Sequence, residues 1–436
     1  MELVLKYGKQ GLKVNLPSQR VTGVLRANSF PRLCQPEQSV FEALTHPIAS
    51  PALNQLAKGK KTACVVISDI TRPVPNRVIL PPILETLQEN GISREAITIL
   101  IATGLHRPGS QEERLQMLGP EIGSDYSIVD HQATGPITSL GHTRGGTPVL
   151  VNPLFTKAEL KITTGLIEPH FMAGYSGGRK AVCPGICGLE TIKVQHGPRF
   201  LESPRSREGV LTGNPFHQEA LEIAQMVGVD FSLNVSVDEQ GGLNGVFAGE
   251  LEEAHQAGVK FVEQQVKIPW PEPVEIVVTT GGGYPLDLTF YQTIKGMSAA
   301  LPLIKKGGTI IIASECAEGI GGAEFTQLIE QTENPDEFLQ RIAQSGYFVK
   351  DQWEVEKLCH VLKKAGVFLY TEGIPECRVQ ELMVEPTPSV EEAAEQALKQ
   401  AGKEAKIAVI PEGPYVLPVI EGQKQPCKPS CHCEEG

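Results

Sequence analysis

The run TACVVISD (residues 62–69) is short, apolar and rich in β-branched side chains, and it closes on Ser-Asp. A strand covered on both faces of a parallel sheet has this composition, because water reaches neither face. The segment ITRPVP follows it and cannot be helical, since prolines two positions apart block a helix. NRVILPPILETLQENG then reads as a helix, with Asn76 as N-cap and Gly91 as its stop. The pattern recurs. AITILIA (96–102) is a strand, TGLHRPG a loop, and SQEERLQMLG a helix that Ser110 caps with Glu113 three residues on. YSIVDH (126–131) and ELKITTGLIEPH (159–170) are further strands. Strand, loop, helix and strand in this order imply a parallel sheet with right-handed crossovers, so the expected fold class is α/β.

At 436 residues the chain exceeds a single core, and a usual domain of about 100–200 residues implies two or three of them. FSLNVSVDEQGGLNGVFAG (231–249) reads as a hairpin around Gly241 and Gly242. KIPWPEP (267–273) holds three prolines in seven residues and reads as a linker. The α/β rhythm then restarts with VEIVVTT (274–280) and GGTIIIAS (307–314). The expected division is an N-terminal α/β domain over 1–268, a C-terminal α/β domain over 269–424 and a Cys-rich flexible tail over 425–436. The active site is expected in the cleft between the two domains.

A net charge of −12 argues against nucleic acid or an anionic membrane as the main partner, since both need a basic face. No apolar run is long enough to span a membrane. MELVLKYGKQGLKVNLP alternates like a short strand pair and lacks the features of a secretory signal. A cytoplasmic location is therefore expected, with the ten cysteines as thiols and Cys64 as a small core residue.

Ligands of open parallel sheets bind beyond the carboxyl ends of the strands. Five polar loops fall at such ends: SDITR with Asp69 and Arg72, TGLH with His106, TGLIEPH with His170, then TTGGGYP and SECAEGIGG. A G-x-G-x-x-G fingerprint, a P-loop, H-E-x-x-H and zinc-finger cysteine pairs are all missing. GYSGG (174–178) resembles a nucleophile elbow only loosely, and Ser176 carries little weight as a nucleophile. His106 and His170 could each merely cap a carbonyl. Two imidazoles after two strand ends, however, suit a reaction that works on either face of a substrate. Lys180 stands behind Gly177 and Gly178, where backbone can approach a ligand, and could serve as a point charge or a covalent anchor. The alternative is an ordinary surface lysine. His196 reads as a core histidine or a metal ligand, and Cys183 and Cys187 read as buried thiols at a turn in preference to a ligand pair. In YQTIKG, Tyr291, Gln292 and Lys295 share a helical face that could hold a carboxylate, or could belong to an ordinary amphipathic helix.

Together S-D-x-T-R-P, A-T-G-x-H-R, G-x-x-x-P-H, G-G-R-K with P-G after it, x-Q-H-G and Y-Q-x-x-K-G resemble the nickel-dependent lactate racemase family, in the right order over most of the chain. The resemblance implies a nickel-pincer nucleotide, nickel pyridinium-3,5-bisthiocarboxylic acid mononucleotide, attached covalently at Lys180. It makes His196 the protein ligand to nickel and His106 and His170 the acid–base pair. Arg72, Tyr291, Gln292 and Lys295 would hold the substrate, Asp69, Gly177 and Gly178 would lie by the cofactor, and Trp353 could face it. The implied reaction is racemisation or epimerisation at C2 of a 2-hydroxy acid, lactate or a relative, by hydride transfer to and from the nucleotide through a 2-keto acid. Implied partners are the small substrate and the proteins that build the cofactor and deliver nickel. Two other readings stay open: an NAD-dependent 2-hydroxy acid dehydrogenase, and a non-catalytic carrier of the nickel nucleotide. Cys427, Cys431, His432 and Cys433 could scavenge metal, or be incidental thiols on a flexible end.

Overall fold

The computed structural model describes residues 1–344 and 346–422, so the expectations for the Cys-rich tail lie outside the described residues. The chain forms two units, Asn28–Val266 and Met1–Ala27 with Lys267–Gly436.

In Asn28–Val266 six strands form one sheet, in the order Leu243–Gly249, Phe231–Val237, Leu160–Leu166, Ala63–Ser68, Ile97–Ala102 and Ser127–Asp130. All neighbours are parallel except the first pair, which is the hairpin expected around Gly241. The apolar run at 62–69 is explained by two separate cores. Val65 and Ile67 pack with Ile99 and Ile162, while Cys64 and Val66 pack with Leu100 and Phe155. Successive side chains of a strand point to opposite faces, so a strand between two cores must be apolar throughout. Burial pushes the Cys64 thiol up to about 12, as fits a packing residue.

From Ala63–Ser68 the chain moves to Ile97–Ala102 on one side and later returns to Leu160–Leu166 on the other. The loops after Ala63–Ser68 and Leu160–Leu166 therefore diverge, and open a crevice at their carboxyl ends. The helix Asn76–Glu89 forms as expected and contains Pro81 and Pro82. Asn76, however, is its first residue and not its cap. Its backbone N–H is already bonded to the Val74 carbonyl, and Pro75 holds the cap position with no side-chain bond. Ser110 does cap the helix Gln111–Asp125, in a reciprocal capping box with Glu113.

The other unit has a six-stranded sheet, parallel throughout, in the order Glu385–Pro386, Ala365–Tyr370, Ile304–Ala313, Val274–Thr280, Ile407–Val409 and Val21–Val24. Its edge strand Val21–Val24 corrects the expected 1–268 domain. The first residues belong with the C-terminal half, because they complete its sheet and because Leu3, Leu5, Val14 and Leu16 bury against Ile276 and Ile311. KIPWPEP is not a plain linker either. Lys267–Trp270 is a strand that pairs in parallel with Leu417–Ile420. A two-stranded ladder tolerates Pro269, since its missing N–H need face no second neighbour. Among the described residues no helix is long and apolar enough to cross a membrane.

Candidate active site

Three adjacent parallel strands end at the crevice. Leu160–Leu166 leads to Glu168 and His170, Ala63–Ser68 to Asp69 and Arg72, and Ile97–Ala102 to His106. Five of the expected or neighbouring polar residues thus share one edge of one sheet, with the Asp69–Arg72 loop in the middle.

Asp69 is buried directly after its strand. One carboxylate oxygen accepts from Thr71, at 2.6 Å from the hydroxyl and 3.2 Å from the backbone N–H. The other lies 2.6 Å from His106 Nδ1. Burial pushes the carboxyl up, but the charge and hydrogen bond of His106, the Thr71 hydroxyl and Arg72 outweigh it and hold the group below its ordinary value. Asp69 is therefore an orienting partner of His106. A carboxylate can only accept, so Nδ1 of His106 carries a proton, and in the neutral ring the lone pair is on Nε2. The His106 side chain is 45% exposed, open enough to meet a solute.

A carboxyl held below its ordinary value of 3.8 stabilises the fold above that pH, and the contribution fades as pH falls through the lowered value. Asp69→Asn should therefore melt below the wild type at neutral pH, and the gap should close in acid. Melting curves across that range check it, and a gap that widens in acid would contradict the assigned pairing.

His170 is bound in the opposite sense. It lies in a short antiparallel pair, Pro169–His170 with Gly174–Tyr175, and the tight connection turns backbone N–H groups onto its ring. Met172 and Ala173 both donate to its Nδ1 at 3.2 Å. Nδ1 is thus the acceptor, and the neutral ring carries its proton on Nε2. The two histidines differ in the nitrogen that holds the proton.

Arg72 meets Glu168 through Nε, 3.4 Å from Oε1. Ser176 is structural, not nucleophilic. It is buried, its hydroxyl donates to the Leu166 carbonyl at 2.7 Å, and it accepts from the Glu168 N–H at 2.9 Å.

Gly177 and Gly178 lead into the turn Gly178–Ala181, which carries Lys180. Both are left-handed, with φ of 77° and 54°. Their expected role is to let the backbone approach a ligand; on the side where a Cβ would stand, each meets a side chain of the protein. A Cβ on Gly177 would lie 2.8 Å from Asn234 Oδ1, and one on Gly178 would lie 2.8 Å from the His255 ring. The glycines allow close packing of the turn on those side chains, and Asn234 also accepts from the Gly178 N–H at 2.7 Å. Arg179 holds the turn from beneath. It is fully buried and donates to the Ala173 carbonyl at 2.7 Å and the Gly177 carbonyl at 3.3 Å.

Lys180 emerges from this base with Nζ over the Phe216 ring, 5.6 Å from its centroid. The same ring stands edge-on to His196 at 5.1 Å. His196 ends the helix Leu189–Gln195 and is buried, with Nδ1 3.1 Å from the Ile192 carbonyl. That carbonyl fixes the proton on Nδ1 and leaves the lone pair on Nε2. Burial, and then the charge of Lys180, push the imidazole down to about 3, so at neutral pH it stays in the uncharged form that binds metals. Among the described residues no group of three or more His, Cys, Asp or Glu could hold a metal ion on its own. Cys183 and Cys187 are buried thiols, as expected.

Tyr291, Gln292 and Lys295 belong to the other unit, on the helix Phe290–Ala300 that Thr289 caps. Their face is the less buried one, and Lys295 Nζ donates to Gln292 Oε1. The Trp353 indole N–H donates to the Tyr291 hydroxyl at 3.1 Å. Sequence reasoning missed Glu168, Phe216, Asn234 and His255. Glu168 stands inside a motif that the sequence does single out. The other three come from distant helices and strands with no local signature.

Comparison with known proteins follows this geometry. Family models for the lactate racemase N-terminal domain and the lactate racemase C-terminal domain match residues 7–209 and 271–418. A lactate racemase of Thermoanaerobacterium thermosaccharolyticum is 36% identical over 419 residues, covering 95% of this chain and 98% of the relative. One of Lactiplantibacillus plantarum is 34% identical over 420 residues, with the same shares. The structure of the lactate racemase apoprotein from T. thermosaccharolyticum superposes with a TM-score of 0.91 at 34% identity, over 96% of this chain and 100% of that one. A Thermotoga maritima crystal structure at 20% identity and a TM-score of 0.68, over 90% of this chain and 100% of that one, shares the fold alone.

Proposed function

We propose, from the premise that the chain belongs to the lactate racemase family, that it interconverts the enantiomers of lactate or a closely related 2-hydroxy acid. The observation that carries this reading is the opposed protonation of two imidazoles on either side of the Arg72 loop. His106 offers a lone pair at Nε2 and His170 offers a proton there. A reaction that removes a hydroxyl proton and later restores it needs a base for the proton and a hydrogen-bond donor for the oxygen.

Arg72 takes the substrate carboxylate. His106 removes the hydroxyl proton at Nε2, while Asp69 holds the Nδ1–H and supports the charge that forms on the ring. His170 donates an Nε2–H hydrogen bond to the oxygen, and the proton held on His106 returns to that oxygen when the opposite face is rebuilt. The other enantiomer uses the same groups in reverse. On their own unit, Lys295 and Gln292 form a donor pair of the kind that carries negative charge on a carboxylate or carbonyl oxygen.

The residues fit a nickel-pincer nucleotide. Lys180 would hold it covalently, and His196 Nε2, neutral and oriented, would meet the nickel. A pincer brings its own donors, so a single protein imidazole suffices. The chemistry such a nucleotide supplies when bound is reversible acceptance of the C2 hydride, with a planar 2-keto acid as the oxidised substrate. The implied partners are the enzymes that build the nucleotide and load its nickel.

The test is direct. The nickel-loaded chain is incubated with L-lactate without any nicotinamide cofactor, and D-lactate is followed by chiral chromatography. Conversion towards an equal mixture is expected. Turnover only on addition of NAD would favour a dehydrogenase. Stoichiometric nickel with no turnover of any 2-hydroxy acid would favour a carrier.

A further inference from the structure

Arg72 is mostly buried, and its counterion is Glu168. The contact is through Nε at 3.4 Å. An arginine held on its Nε side keeps the edge formed by its two terminal nitrogens for a second, bidentate carboxylate. Glu168 is itself held in place. Its N–H donates to the Ser176 hydroxyl at 2.9 Å, its carbonyl accepts the Ser176 N–H at 2.9 Å, and that hydroxyl is tied to the Leu166 carbonyl. Asp69 is a second carboxylate close enough to act on Arg72, but its oxygens serve His106 and Thr71. Without Glu168, Arg72 would be drawn to Asp69, away from a ligand and at the expense of the His106 contact.

We infer that Glu168 is a positioning residue for the substrate: fixed to Ser176, it holds Arg72 by Nε so that the guanidinium faces the 2-hydroxy acid carboxylate. The inference rests on the assignment of Arg72 to that carboxylate. Glu168 touches no reacting atom, so its removal acts on binding more than on turnover.

The experiment measures kcat and KM for lactate with nickel-loaded full-length variants of wild-type melting temperature and nickel content. Glu168→Ala should raise KM about tenfold and change kcat by less than about threefold, as loss of a charge-assisted contact does. Glu168→Asp keeps the charge but withdraws it by one methylene, and should repeat the rise even if the alanine variant folds poorly. Glu168→Gln keeps an acceptor at Oε1 without the charge and should recover only part of it. Arg72→Ala should raise KM at least as far, and adding Glu168→Ala to it should cost nothing more. A fall in kcat at unchanged KM in the Glu168 variants, or an added cost in the double variant, overturns the positioning role and leaves Arg72 in place. Unchanged KM in Arg72→Ala removes the Arg72 assignment, and the inference with it.

Discussion

Lys180→Ala should purify as a folded chain with no nucleotide adduct, little nickel and no measurable racemisation. The fold should survive because other side chains hold the turn on which Lys180 stands. Arg179, Asn234 and His255 hold the backbone there, and the contact of Nζ with the Phe216 ring is worth only about 0.5–1 kcal/mol. The chemistry should vanish because an alanine has no amine to bond to the cofactor. Lys180→Arg separates the two roles of the residue. It restores a positive charge over Phe216 but not an acylatable amine, so it too should lack the adduct. Intact mass of protein from a host that makes the nucleotide, followed by peptide mapping and nickel analysis, is the measurement. Wild-type activity in either variant, or an adduct on another residue, would refute Lys180 as the anchor.

His106→Ala and His170→Ala should each lower kcat by about 10²–10⁴, the usual contribution of a positioned proton donor or acceptor. Both should retain adduct and nickel, since neither residue belongs to the Lys180 turn and the imidazole that meets Phe216 is that of His196. The two should differ under rescue. His106 is 45% exposed, so added imidazole can enter its place and restore part of the rate. His170 is buried against Phe171 and backbone N–H groups, and its loss should resist rescue. If both variants racemise at the wild-type rate, the two-histidine mechanism fails. Equal rescue of both would contradict the difference in access.

Much of the fold and of the candidate site is legible in the residue pattern alone. The strands at 62–69, 96–102 and 274–280 are readable because a strand between two cores must be apolar throughout. The site loops are readable because polar residues after such strands collect at one edge of the sheet. Other features are not. Val21–Val24 is four residues long and pairs with Ile407–Val409, almost the whole chain away, so no local pattern assigns it to a unit. The prolines of Lys267–Trp270 mask a strand that only its partner reveals. Gly177 and Gly178 announce close approach, but not that Asn234 and His255 are what approach.

By itself the sequence determined the α/β class, the family resemblance and the identity of the chemical groups, because these follow from residue type and local order. Only the tertiary structure decided the state of those groups. The neutral His106 ring has its lone pair on Nε2 because Asp69, from another strand end, accepts its Nδ1 proton. The neutral His170 ring has its proton on Nε2 because a tight backbone turn places two N–H groups on its Nδ1. His196 is neutral because burial and Lys180 both act against its charge. An imidazole has the same two nitrogens wherever it stands in a chain, and the nitrogen that holds the proton is set by the partners that folding brings to it.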